Sequence, residues 1–165
     1  MSGLEIERKF LVRKDRDWKR LASSCSHIKQ GYFAAVNTVR VRIRDDKGYL
    51  TIKGPSSNGG LSRYEFEKVI SLEEAQQLML LCEPGVIDKH RYLVPFEGHT
   101  FEIDEFHGDN DGLVLAEVEL GSEDESFDKP DFIGLEVTGN RHFYNSQMRR
   151  NPFKLWRDIV PEEYR

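Results

Sequence analysis

The run Glu5-Ile6-Glu7-Arg8-Lys9 places acid, acid and base at every second position. In an extended strand, residues two apart share a face, so Glu5, Glu7 and Lys9 point one way and Ile6 and Arg8 the other. At a rise of ~3.3 Å per residue the two carboxylates sit ~6.6 Å apart, and they can share a cation only if other strands add ligands. The same spacing recurs along the chain. Arg40, Arg42 and Arg44 alternate with Val39, Val41 and Ile43, and Thr51 and Lys53 oppose Leu50 and Ile52. Glu65 and Glu67 flank Phe66, Lys89 and Arg91 flank His90, Glu102 and Asp104 flank Ile103, and Glu117 and Glu119 flank Val118. Each face carries mainly one sign.

A half-solvated sheet accounts for any one of these strands. It accounts poorly for six of them with doublets or triplets of like charge, because like charges two apart repel. The alternative closes the sheet into a barrel, with these residues lining the lumen and the apolar faces packed outward under helices. Small barrels fill the lumen with side chains or a small ligand. Nearly equal acid and base inside are costly unless paired or satisfied by a ligand. A polyanion chelated to a divalent metal meets both needs, bases taking phosphate oxygens and carboxylates taking metal. Hard oxygen ligands without paired His or Cys select Mg²⁺ or Mn²⁺ over zinc. The five histidines, His27, His90, His99, His107 and His142, lack ligand spacing and read as structural or surface residues. From sequence alone Tyr32 reads as a core tyrosine.

Eight segments show strand-like alternation: Leu4–Val12, 27–34, 38–45, 49–53, 63–70, 87–94, His99–Phe106 and 113–120. Gly, Asp, Asn or Pro separates most of them. Asp45-Asp46-Lys47-Gly48 predicts a tight hairpin turn, 108–112 a looser one and 55–60 a flexible loop. The regular spacing suits a mainly β, antiparallel barrel or sandwich over a βαβ protein. Three helices are expected. One has Ser71 and Glu74 as a capping box, an apolar stripe of Leu72, Ala75, Leu78, Met79 and Cys82, and a stop at Pro84-Gly85. Shorter ones are expected over 15–24, with Trp18, Leu21 and Ala22 facing in, and over 145–150.

The 165 residues fit one domain spanning 1–165. Charged residues make up 32%, yet ten Phe, six Tyr and two Trp argue against disorder. A net charge of −5 gives no electrostatic footprint for duplex nucleic acid or an anionic membrane. Cys25 and Cys82 have no metal or redox spacing and read as free thiols in a reducing compartment. Charges from Glu5 onward leave no room for a signal peptide, so a cytoplasmic location is expected. An edge-free barrel suits a monomer, and an exposed helix face would allow a homodimer.

Taken in order, nine short runs resemble the motifs of the CYTH superfamily, the triphosphate tunnel metalloenzymes. They are Glu5–Val12 with its ExExK signature, Gln30-Gly31-Tyr32, Val39-Arg40-Val41-Arg42, Thr51-Ile52-Lys53-Gly54, Arg63-Tyr64-Glu65-Phe66-Glu67, Lys89-His90-Arg91-Tyr92, Glu102-Ile103-Asp104-Glu105-Phe106, Ala116-Glu117-Val118-Glu119-Leu120 and Glu136-Val137-Thr138-Gly139. The resemblance implies an eight-stranded antiparallel tunnel that binds a linear triphosphate with divalent metal. It implies phosphate contacts from Lys9, Arg40, Arg42, Lys53, Lys89 and Arg91, with Arg141 near the C-terminal helix. It implies a first metal on Glu5, Glu7 and Glu119, and a second near Glu117, Glu65 and Glu67. Asp104 is expected to orient a base or a metal-bound water, and Arg44 to sit on a solvated rim. The chain is similar to the short bacterial members, which implies hydrolysis of inorganic tripolyphosphate with Tyr32 and Lys89 as a water-activating dyad. Nucleotide chemistry (a CYTH-type adenylate cyclase, a nucleoside triphosphatase or a thiamine triphosphatase) and non-catalytic polyphosphate binding remain alternatives.

Overall fold

The alternating segments form strands, and their register closes the sheet. The computed structural model describes residues 3–165. It contains β1 Leu4–Val12, β2 Ser24–Tyr32, β3 Thr38–Arg44, β4 Lys47–Lys53, β5 Ser62–Ile70, β6 Ile87–Phe96, β7 His99–Phe106, β8 Val114–Glu119 and β9 Ile133–Glu136. The strands pair antiparallel in the order β5-β4-β3-β2-β6-β7-β8-β1, and β1 returns to β5 through Leu4↔Tyr64, Glu5↔Arg63 and Ile6↔Ser62. This is the closed eight-stranded barrel the sequence implies. The β1 strand is long enough to serve three neighbours: β5 at its start, β8 over Glu7–Leu11, and β9 at its end, where Phe10 meets Glu136. The ninth strand is an addition to the eight expected.

Two apolar clusters hold the barrel. The outer one joins Phe10, Phe101, Ile103, Ala116 and Val118 on the outward faces of β1, β7 and β8 to Trp18 and Phe132. Coil supplies most of that cover: Trp18 meets Tyr92 edge-on at 5.0 Å between ring centroids. The second cluster closes the lumen. Leu11, Tyr32, Ile87, Phe106 and Leu115 continue the faces that carry Lys9, Gln30, Lys89, Asp104 and Glu117. The C-terminal segment lays Val137, Phe143, Met148, Phe153, Trp156, Val160 and Tyr164 on them. Each such side chain contributes about 1.5–3 kcal/mol on full burial. The tunnel therefore has one blind end.

Helices are fewer than expected. The α1 helix, Leu72–Leu80, forms as the capping box predicts: Glu74 N–H donates to Ser71 Oγ at 3.0 Å and Ser71 N–H to Glu74 Oε1 at 2.9 Å. It packs on β3 and β4, with Ala75 fully buried. Replacing Ser71 by alanine is expected to cost about 1 kcal/mol, read as a lower urea midpoint at unchanged slope. The segment 15–24 corrects the second expectation. Only Lys19–Leu21 makes a single 3₁₀ turn, Leu21 is exposed, and Trp18 alone is buried, so there is no apolar stripe to support a helix. The third, α2, is Asn145–Met148, shorter than expected and followed by further 3₁₀ turns. The α1 helix covers only the Gly48 end of β4, leaving Ile52, Tyr64 and Phe66 exposed on the outward faces of β4 and β5. No helix among the described residues is long and apolar enough to cross a membrane.

Candidate active site

Strand order sorts the charges into two half-cylinders. The sequence β5-β1-β8-β7 brings Glu65 and Glu67, Glu5 and Glu7, Glu117 and Glu119, and Glu102 side by side. The other half, β6-β2-β3-β4, carries Lys89 and Arg91, then Arg40, Arg42 and Arg44, then Lys53. Eight cationic and seven carboxylate side chains line the enclosed cavity of about 270 Å³. Lys9 and Arg63 are the two bases on the acidic half. The blind end is completed by Thr138, Gly139, Tyr144 and Asn145 and by the loop after β4. Gly139, at φ +78°, lets that loop close in: a Cβ there would collide with the carbonyl of Gly59.

The acidic half is built against Coulomb repulsion. Glu7 faces Glu119 in the β1–β8 register, and Glu102 faces Glu117 in β7–β8. Directly opposed like charges destabilise a sheet. The proton affinity of several of these carboxyls rises in response. Burial, Glu117 and Glu5 push Glu7 well above the ordinary carboxyl range. Burial, Glu102 and Glu5 raise Glu119. Burial and a hydrogen bond with Glu5 push Glu65 up to about 7. Glu117 goes the other way: burial opposes its charge, but Lys9 and Arg91 outweigh it and hold the carboxyl low. Among the described residues no three ligand groups converge on a metal position as they stand. Glu5 instead accepts from Lys53 Nζ at 2.9 Å, and Glu7 shares a hydrogen bond with Glu117. This donor set, all hard oxygen and under mutual repulsion, fits a divalent cation, which would relieve that repulsion.

The basic half ends in a buried network. Lys89 is 1% exposed and Asp104 2%. Lys89 Nζ donates to Asp104 Oδ2 at 2.8 Å and to Asn145 Oδ1 at 2.9 Å. Arg91 donates to both oxygens of Asp104 and to Glu102 at 2.7 Å. Burial, opposed by Asp104 and assisted by Arg91 and Arg42, pushes Lys89 down to about 7. Against its own burial, Asp104 is held at about 2 by Arg91 and Lys89. Burial and the neighbouring Arg40 and Arg91 bring Arg42 down to about 9. Arg40 donates to Thr51 at 3.1 Å, while its buried Nε has no partner among the described residues. Lys9 donates to the Phe143 carbonyl at 3.0 Å and lies 3.4 Å from Glu117.

Of the residues singled out by sequence, Glu5, Glu7, Lys9, Tyr32, Arg40, Arg42, Lys53, Glu65, Glu67, Lys89, Arg91, Glu117 and Glu119 line this cavity, and Asp104 lies behind it. Arg44 also lines it, bonded to the Tyr49 hydroxyl at 2.6 Å. Arg141 does not join them; it is exposed on a 3₁₀ turn. His90 faces outward, stacked on His27 at 4.7 Å and bonded to His107 at 2.7 Å. Gln30, Arg63, Glu102, Tyr144 and Asn145 are lining residues that carried no site assignment from sequence. Arg63 and Glu102 were in phase with Glu65 and Asp104 and could have been found from alternation. Asn145 lies in α2 and gives no such signal.

The chain is similar to known proteins over most of its length. The chain is 48% identical over 159 residues to an inorganic triphosphatase of Acetivibrio thermocellus, covering 94% of this chain and 99% of that protein. It is 35% identical over 150 residues to an inorganic triphosphatase of Nitrosomonas europaea, covering 87% and 95%. A crystal structure of an inorganic triphosphatase superposes with a TM-score of 0.61 at 29% identity, covering 92% of this chain and 97% of that one. The CYTH domain model matches residues 3–150, and the chain belongs to the CYTH family.

Proposed function

We propose that this chain hydrolyses inorganic tripolyphosphate to pyrophosphate and phosphate, with Mg²⁺ or Mn²⁺ as its cation. One observation carries the reading: an acidic and a basic half-cylinder face each other across a blind, strongly ionic cavity of about 270 Å³. That volume lies just below the ~300–1,000 Å³ of organic-ligand pockets. A compact linear polyanion suits such a space better than a nucleoside or thiamine ester, because the walls offer charge and little apolar surface. The two curated relatives named inorganic triphosphatase support the same substrate.

The resemblance to the triphosphate tunnel metalloenzymes and the all-carboxylate ligand set support a divalent cation. Glu5, Glu7 and Glu119 would hold one cation and Glu65, Glu67 and Glu117 lie where a second would bind; there it would screen phosphate charge and acidify a bound water. Phosphoryl transfer asks the protein mainly for positioning and charge stabilisation. Arg40, Arg42, Lys53, Lys9, Lys89 and Arg91 bind the bridging and terminal oxygens. The unpartnered Arg40 Nε is a ready donor for one of them. Asp104 holds Lys89 and Arg91 at fixed positions. Tyr32, at the blind end, serves as base in its ionised form: the hydroxyl proton leaves first, the phenolate oxygen then accepts the proton of the attacking water, and Lys89, linked to it through Asn145 and Gln30, favours that negative charge. Arg141, exposed and outside the cavity, is given no part in binding.

The test is a phosphate-release panel over tripolyphosphate, ATP and thiamine triphosphate with Mg²⁺ and with Mn²⁺. The expected result is a kcat/KM for tripolyphosphate at least ten-fold above the others, abolished by excess chelator. Preferred turnover of ATP, or cyclic AMP among its products, would replace the substrate assignment. Tight tripolyphosphate binding without phosphate release would make the chain a binding module.

A further inference from the structure

Tyr32 and Lys89 are joined in the structure by two amides. Gln30 Nε2 donates to the Tyr32 hydroxyl oxygen at 2.8 Å and to Asn145 Oδ1 at 3.2 Å. Gln30 Oε1 accepts from Arg42 Nε at 3.0 Å, and Asn145 Oδ1 accepts from Lys89 Nζ at 2.9 Å. Amide oxygen and nitrogen are assigned from their partners, and here the partners leave one choice. Arginine Nε and a lysine ammonium donate and have no acceptor lone pair. The Gln30 atom facing Arg42 is therefore oxygen, so its nitrogen faces Tyr32. The Asn145 atom facing Lys89 is likewise oxygen, which the Gln30 nitrogen can also meet. Gln30 is fully buried, so a mispaired amide there would leave buried polar groups without partners.

We infer that Gln30, held in one orientation by Arg42 and Asn145, is a positioning residue that makes the Tyr32 oxygen an acceptor and turns its hydroxyl proton away from the amide, toward the cavity. An N–H aimed at the phenol oxygen also stabilises negative charge as it develops there. Asn145 ties this arrangement to the C-terminal segment that closes the blind end, so α2 helps set the chemistry as well as the shape. The inference rests on the proposed role of Tyr32 and adds what prepares that side chain for it. The alternating pattern of β2 alone does not reveal it, because the deciding contacts come from β3 and α2.

The experiment is a double-mutant cycle of Gln30→Met, which keeps the length and removes all three hydrogen bonds of the amide, with Tyr32→Phe. Each variant is measured for kcat, KM and the pH profile of kcat, with thermal unfolding to confirm the fold. Gln30→Met is expected to lower kcat at least ten-fold, to move the rise of kcat to higher pH, and to change KM less than three-fold. In the Tyr32→Phe background the same substitution is expected to change kcat less than two-fold, since the oxygen it serves is gone. Gln30→Glu, which presents an acceptor to the hydroxyl, is expected to be no better than Gln30→Met. If Tyr32→Phe lowers kcat but Gln30→Met costs the same in both backgrounds, or shifts no pH profile, the positioning role is overturned and the tyrosine's role stands. If Tyr32→Phe leaves kcat unchanged, both fall.

Discussion

Glu7→Ala is expected to lower kcat on tripolyphosphate at least a hundred-fold and to raise the metal concentration needed for half-maximal rate. Glu7 lies at the centre of the acidic half-cylinder, with Glu5 two residues away on its own strand face and Glu119 opposite it in the β1–β8 register. Its proton affinity is raised by burial, Glu117 and Glu5, the mark of a carboxylate placed among its own kind at a cost. Removing it relieves repulsion, so the fold is expected to keep or gain stability while activity collapses. That opposition separates a ligand from a structural residue, because structural carboxylates lose stability when truncated. Exposed Glu73 on α1 is the control, and Glu73→Ala is expected to keep wild-type kcat. A Glu7→Ala enzyme within three-fold of wild type would remove Glu7 from the metal site.

Asp104→Asn carries the largest expected loss of stability. The carboxylate is 2% exposed and takes both Lys89 and Arg91, so the amide leaves the buried Lys89 without its ion-pair partner and Arg91 with Glu102 alone. Breaking such a group costs about 3–5 kcal/mol. Its folded value of about 2 lies below the ~3.9 of an unfolded aspartate, so the native state binds the proton less readily. The stability it supplies is therefore complete above about pH 5 and is lost as pH falls toward 2. Urea unfolding at pH 7 and at pH 3 checks both parts. The gap between wild type and variant should be several kcal/mol at pH 7 and visibly smaller at pH 3. A pH-independent gap would mean that packing, and not charge, is what the variant lost.

Alternation is a local property, so the inward face of each strand was legible before any pairing was known. Lys53 and Glu65, on neighbouring strands, both point into the lumen as the spacing requires, and the barrel follows from the need to satisfy such faces. The division into an acidic and a basic half was not legible. It depends on β6 lying beside β2 and on β1 lying between β5 and β8, and long-range order of that kind leaves no trace in a window of ten residues. The ninth strand was missed because Ile133–Glu136 is short and contains Gly134. That glycine serves a close approach, since a Cβ there would overlap the ring of Tyr164. The helix expected over 15–24 failed because one tryptophan, not a stripe, anchors the segment. Arg141 was assigned by motif position, and its exposure shows how little position says about where a turn points its side chain. The blind end was partly visible. Leu11, Ile87 and Leu115 continue the charged faces in phase, but which segment packs on them could not be read from the strands.

Cation and triphosphate are expected to meet between the two half-cylinders. Crystals grown with Mn²⁺ and tripolyphosphate, measured at the manganese absorption edge, test it directly. The predicted result is an anomalous peak among Glu5, Glu7 and Glu119 with phosphate density against Arg40, Arg42 and Arg91. Manganese bound outside the barrel, or a triphosphate lying on the outer faces of β4 and β5, would contradict it.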